Sequence, residues 1–200
     1  MGCLKNILKA VILVFAVIGF IKIGGQDFFI QKWNEFTNPP QDVMQERAKK
    51  VGDFSRIGDE YEIDKAASAL GYNGVLAEHK ASGQKMIVID SGVKPLLTPQ
   101  DFKEDKVGQK LQDLTKKFKY SVVNVENLKI TKKGHIKTFG KNAQFVKFSA
   151  EISKVPGGKV EGIISSVKTD SGQTRVLVSA NEQGKYSQLV AQDFFKKIKE

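Results

Sequence analysis

Two hundred residues, 40% hydrophobic and 27% charged, suffice for one folded domain with an appendage and exclude a wholly disordered chain. The single cysteine, Cys3, rules out an intramolecular disulfide and leaves no thiolate nucleophile in the body of the chain. The net charge of +10 comes from lysine, because Arg47, Arg56 and Arg175 are the only arginines; ammonium point charges suit anionic surfaces but rarely read bases bidentately, which argues against a nucleic-acid reader.

The first element is the apolar run Ala10–Ile21, AVILVFAVIGFI, between Lys9 and Lys22. A hydrocarbon core about 30 Å thick asks for roughly 20 helical residues, so the run spans a membrane only if both lysines snorkel and Leu4–Ile23 forms one helix. The competing reading is a cleaved secretory signal. Lys5 and Lys9 supply its basic segment, but Ile23-Gly24-Gly25 puts a large residue where the cleavage pattern needs a small one. Residues 1–25 are therefore expected to be a transmembrane anchor or uncleaved signal. A short basic N-terminus stays in the cytoplasm, which places the rest of the chain on the extracytoplasmic side, or outside altogether if the segment is cut.

Residues 26–52 follow as a juxtamembrane aromatic segment and a lead-in helix. DFFIQKWNEF brings Phe28, Phe29, Trp33 and Phe36 together with polar neighbours, a composition suited to the headgroup layer; the same residues would also serve a first core-packing helix. Asn38-Pro39-Pro40 then breaks the chain and starts a helix with Met44, Ala48 and Val51 on one face, ending at Gly52.

The compact domain is expected over residues 53–200. Glu60, Glu62 and Asp64 alternate with Tyr61 and Ile63 as on a solvated strand face, and Val75–Lys80 and Lys85–Asp90 flank Ser82-Gly83 as a hairpin. Thr98, Pro99 and Asp101 give a capping box with proline at the first helical position. The stripe behind them, Phe102, Val107, Leu111, Leu114 and Phe118, carries a spacing fault near Asp105 or Gly108. Five strands are then predicted: Tyr120–Thr131, His135–Phe139, Gln144–Ile152, Val160–Lys168 and Thr174–Ala180. Glycine-bearing turns (KKGH, FGKN, PGGK and DSGQ) separate them, and a bulge falls near Glu126-Asn127, where the apolar face changes. The last element is a helix with Tyr186, Leu189, Val190, Phe194 and Ile198 as its stripe. The order predicts an α+β fold, an antiparallel sheet of hairpin plus meander packed with two main helices and preceded by an N-terminal membrane helix.

The strand GQTRVLVSA followed by the closing helix KYSQLVAQDFFKKI, with the run of strands before them, resembles the PsbP/Mog1-like group of small α+β domains in element order. The resemblance implies a fold and a tendency toward binding or assembly roles. It transfers no site residue.

No phosphate loop, dinucleotide fingerprint, zinc-protease helix or serine elbow occurs in the sequence. His79 and His135 are its only histidines, and neither has the neighbours of a metal site. Neither catalytic, cofactor-binding nor metal-ligating residues are assigned, and no cofactor is expected. The feature above background is a basic stretch: Lys116, Lys117, Lys119, Lys129, Lys132, Lys133, Lys137, Lys141 and Lys147 against the single acid Glu126. Brought together, these would attract anionic lipid, an envelope polymer or an acidic protein; scattered along strands, they would be solvated lysines. The reading is a membrane-tethered, noncatalytic binding or structural module of a bacterial envelope. The alternative is a secreted or anchored hydrolase whose site the sequence does not mark.

Overall fold

The structure is a computed structural model and describes residues 40–69, 72–90, 92, 95–117, 125–152 and 158–200. The apolar run, the aromatic segment with Phe28, Phe29, Trp33 and Phe36, Lys119, and the Pro156-Gly157 turn lie outside these residues. Among the described residues no helix is long and apolar enough to cross a membrane.

In chain order the elements are α1 (Gln41–Lys49), β1 (Tyr61–Ala69), β2 (Tyr72–His79), β3 (Lys85–Asp90), α2 (Pro99–Lys103) and α3 (Val107–Lys117). They are followed by β4 (Val125–Thr138), β5 (Lys141–Ile152), β6 (Lys159–Lys168), β7 (Thr174–Glu182) and α4 (Gln188–Lys197). The seven strands form one sheet in the order β1-β2-β3-β7-β6-β5-β4, antiparallel at every pairing. Two meanders thus meet at the β3–β7 pairing, and the segment carrying α2 and α3 takes the chain from the middle of the sheet to its far edge.

Both faces of the sheet are apolar, which explains why β3, KMIVID, is buried along its whole length instead of alternating. On one face Val75, Ala77, Met86, Val88, Phe145, Ile163 and Leu177 meet Phe194, Phe195 and Ile198 from the α4 end, Ala48 from α1 and Val51 from the turn after it. The other face sets Leu76, Ile87, Val146, Ile164, Val176 and Val178 against Leu97, Phe102 and Val107. Neighbouring residues such as Leu76 and Ala77 fall in opposite cores because strand side chains alternate with period 2. Each fully buried side chain of the size of Phe194 contributes roughly 1.5–3 kcal/mol of transfer free energy. The lead-in helix is therefore held by the core, through Ala48 and Val51.

Local signals in the sequence translate closely. The Ser82-Gly83 hairpin forms, with Gly83 at φ +67°. Asp101 accepts from the Thr98 N–H at 2.8 Å and from its hydroxyl at 2.9 Å, so the carboxylate half of the capping box is built. The spacing fault is a break between α2 and α3, where Asp105 stands at φ +59°. The bulge after Glu126 is present, with Asn127 at φ +50°.

Two expectations are corrected. Tyr120–Thr131 and His135–Phe139 were to be separate strands joined at KKGH, yet the described part is one strand, β4, running through Gly134. Gly134 pairs with Phe145, and a Cβ at position 134 would lie 2.6 Å from the Phe145 ring. The glycine is a slot for an aromatic ring instead of a turn. In the closing helix, Leu189 is 77% exposed, and the buried stripe is Ala191, Phe194, Phe195 and Ile198. Ser187, whose hydroxyl accepts from the Val190 N–H at 3.4 Å, sets the start of the helix.

Candidate functional site

Three groups of polar side chains could carry chemistry. The first lies in the middle of the sheet, where Asp90 on β3 is directly opposite Arg175 on β7. Both are buried, and Arg175 Nη1 is 2.5 Å from Asp90 Oδ1. The guanidinium continues to α1, donating from Nε to the Val51 carbonyl at 2.9 Å and from Nη2 to the Lys50 carbonyl at 3.3 Å. Asp90 also accepts from the Gly92 N–H at 3.1 Å and, more weakly, from Asn73 at 3.4 Å. Burial pulls Arg175 down from its ordinary pKa, and the charge of Asp90 opposes that pull. The pair therefore fastens the C-terminal end of α1 to the sheet and cancels its own charge.

The second group lies at the other end of the same face. Lys197 Nζ is 2.6 Å from Glu60 and 2.7 Å from Asp193, and the Tyr61 hydroxyl donates to Asp193 at 2.9 Å. Burial, with Asp193 beside it, pushes Tyr61 up. Burial would also raise Asp193, but Lys197 and Tyr61 hold it below the ordinary carboxylate range. Beside Tyr61, with ring centroids 5.3 Å apart, His79 places Nδ1 2.8 Å from Ser82 Oγ. That is nucleophile-to-base distance. The Ser82 N–H also points to Nδ1 at 3.3 Å, and Ser82 Oγ accepts from the Gln84 N–H at 3.3 Å. Both groups are thus engaged in closing the β2–β3 turn. Among the described residues no cluster of His, Cys, Asp and Glu could hold a metal ion.

The third group is the basic stretch, which the structure divides. A second bulge of β4, between Ile130 and Lys132, puts Ile130 opposite Phe148 and Lys132 opposite Lys147, with Thr131 as the extra residue. Because of that extra residue, Lys132 joins Lys129 and Lys147 on the face that carries α1 and α4, whereas Lys133 and Lys137 point to the α2–α3 face. Lys147 is held by Glu161 at 2.9 Å and lies 5.5 Å from the centre of the Tyr186 ring. Burial pushes Glu161 up, but Lys147 and the Gly184 N–H outweigh it and lower its pKa. Lys133 pairs with Asp105 at 2.7 Å and Lys141 with Asp170 at 2.8 Å. Lys129, Lys132 and Lys137 are exposed and have no acidic partner among the described residues. Lys116 and Lys117 fall in the last turn of α3. Since β4 is an edge strand, its lysines and bulges also keep another sheet from adding to it.

Sequence reasoning missed the Asp90–Arg175 pair. The signal was present in GQTRVLVSA, an arginine inside an otherwise apolar strand, which the interior tolerates only beside a carboxylate.

No family model matches the chain, and no curated protein matches it. Among solved structures it is similar to the solution structure of cyanobacterial PsbP (CyanoP) from Synechocystis sp. PCC 6803, at 13% identity, a TM-score of 0.32, and coverage of 70% of this chain and 84% of that one. The likeness is one of coarse α+β fold, and no residue or role is carried over from it.

Proposed function

We propose that the chain is a membrane-tethered, noncatalytic binding or structural module on the extracytoplasmic side of a bacterial envelope, offering lysines of β4 to an anionic partner. The observation that carries the noncatalytic part is the state of the buried charges. Among the described residues these are Lys85, Asp90, Asp101 and Arg175. Lys85 is paired with Glu78, Asp90 with Arg175, and Asp101 with Lys110. An acid, base or nucleophile poised for catalysis needs a free valence toward substrate; these groups direct theirs into the fold. Tethering is supported by the Ala10–Ile21 run and its flanking lysines.

Cys3, as the only thiol, makes the test simple. Intact and lysed cells are treated with a membrane-impermeant maleimide, and the full-length band is followed through membrane fractionation. Labelling after lysis only, on a membrane-bound full-length band, is the expected result. Labelling of intact cells reverses the topology, and a shorter soluble product without Cys3 overturns the tether.

The hydrolase reading has one observation in its favour, the Ser82–His79 contact of 2.8 Å. It requires that Ser82→Ala abolish hydrolysis of an activated ester by the purified protein. An unchanged background rate removes it.

A further inference from the structure

We infer that α1 is a hinged lid. It lifts from β1 and β2 about the turn at residues 50–53 and uncovers an apolar strip of the sheet while the rest of the fold stays closed.

The hinge end is held from three sides. Val51, in the turn after the helix, is fully buried, and its N–H and that of Gly52 both donate to the Ala48 carbonyl, at 2.9 and 3.1 Å. Arg175 donates to the carbonyls of Lys50 and Val51 from within the sheet. Beyond them Asp53 and Lys199 exchange backbone hydrogen bonds at 2.9 and 3.2 Å, which ties the turn to the segment after α4. Gly52 fits between these contacts because a Cβ there would lie 2.9 Å from both the Phe139 ring and the Lys199 carbonyl oxygen.

The opposite end has no such fastening. Pro40 gives the first turn no side-chain cap. Gln41, Asp42, Gln45 and Glu46 are exposed, and Met44 is the one residue before Ala48 that packs against this core, in part. Among the described residues the only ion pair of α1 is Glu46 with Lys50 at 3.8 Å, which joins the helix to its own cap and not to the sheet. Nine residues are too few to stay helical in water without packing, so α1 melts as it lifts. Beneath it β1 and β2 present Ala66, Val75 and Ala77, all buried. By contrast α4 buries Phe194 and Phe195, is capped by Ser187, and is bonded from Tyr61 to the Val190 carbonyl and from Lys197 to the Ile57 carbonyl. The free energy of apolar burial scales with area, so the sheet parts with α1 far more readily than with α4.

In a Cys3→Ser background, full-length chains carrying Ala66→Cys beneath α1, or Ala191→Cys on the buried side of α4, hold one thiol each. Its reaction with a small disulfide reagent is followed in dilute urea. The thiol at 66 should react at least about tenfold faster than that at 191, at a rate flat in urea, because lifting one short helix exposes little surface. Gln45→Gly, at an exposed position of α1, should speed the reaction at 66 about threefold through helix propensity alone and leave 191 unchanged. Equal rates with equal urea dependence mean that α1 leaves only with the whole fold, and overturn the lid. A fast reaction at 66 that Gln45→Gly does not move belongs to fraying of the edge strand β1, and overturns it as well. Hydrogen exchange of the unsubstituted full-length chain reads the same motion without a new thiol. Protection factors at residues 45–49 should be at least about tenfold lower than that of the Asp53 amide, which donates to Lys199. Equal protection of Asp53 and α1 overturns the hinge.

Discussion

Gly134→Ala is the substitution that most directly tests how β4 is built. A Cβ at this position would lie 2.6 Å from Cζ and 2.8 Å from Cε1 of Phe145, whose side chain is 2% exposed. Ordinary carbon contacts are about 3.5–4.0 Å, so the ring must move by about 1 Å in a core with no slack. Such overpacking costs about 1–3 kcal/mol, against a gain of about 0.5–1 kcal/mol from replacing a strand glycine. The net expectation is a loss of about 1–2 kcal/mol in urea unfolding followed by circular dichroism, with an unchanged slope. Phe145→Leu should make room, so the double variant Gly134→Ala/Phe145→Leu should be more stable than the sum of the single losses by at least about 0.5 kcal/mol. If Gly134→Ala is neutral or stabilising, or if the cycle is additive, the glycine belongs to a turn and the single long strand is wrong.

Three further outcomes follow from the same geometry. Asp90→Asn leaves Arg175 buried without its counter-charge and should cost about 3–5 kcal/mol, whereas Asp90→Leu/Arg175→Met should recover much of that loss; chemical denaturation of the three variants checks it. Asp101 is held below its ordinary pKa, because Lys110 and Thr98 outweigh the upward push of burial. A lowered folded-state pKa gives stability that is full above the unfolded value and lost as the pH falls through the folded one. The gap in unfolding midpoint between the native protein and Asp101→Asn should therefore hold at neutral pH and close below about pH 4. Gly140 stands at φ +72° with nothing within 4 Å of where its Cβ would be. Gly140→Ala should cost about 1–2 kcal/mol from the backbone alone, and a double-mutant cycle with Phe145→Leu should show no coupling.

What could be read from the sequence was whatever short-range chemistry fixes. Thr98-Pro99 with Asp101 marked a helix start because the cap is complete within four residues, and Asp105 betrayed itself as a break in a helical period. The hairpin at Ser82-Gly83 was legible for the same reason. Gly134 was not, since the residue that explains it, Phe145, lies across a strand pairing that only the folded sheet creates. In α4 the expected residues Tyr186, Val190, Phe194 and Ile198 do pack on the core, but Leu189 and Phe195 are equally apolar in a list, and only the packing of the folded helix shows that Phe195 is buried and Leu189 is not. In the basic stretch the sequence left a converged patch and scattered strand lysines both open; strand alternation divides the described β4 lysines between two faces, and the side on which Lys132 falls is set by the extra Thr131, a bulge with weak sequence signature.

The β3–β7 pairing has a consequence for synthesis. Every other strand neighbour is joined to its partner by a hairpin, while this seam brings together chain segments such as Gln84 and Ser179, 95 residues apart. A ribosome adding about 5–20 residues per second exposes the apolar strand KMIVID for roughly 5–20 s before its partner is made. Until then β3 is an open edge, rich in β-branched residues, with its main-chain groups unpaired. Closure of the seam is thus the slow, high-contact-order step of folding. Nascent chains stalled just before Thr174 are the form of this protein most prone to aggregate and most dependent on a chaperone.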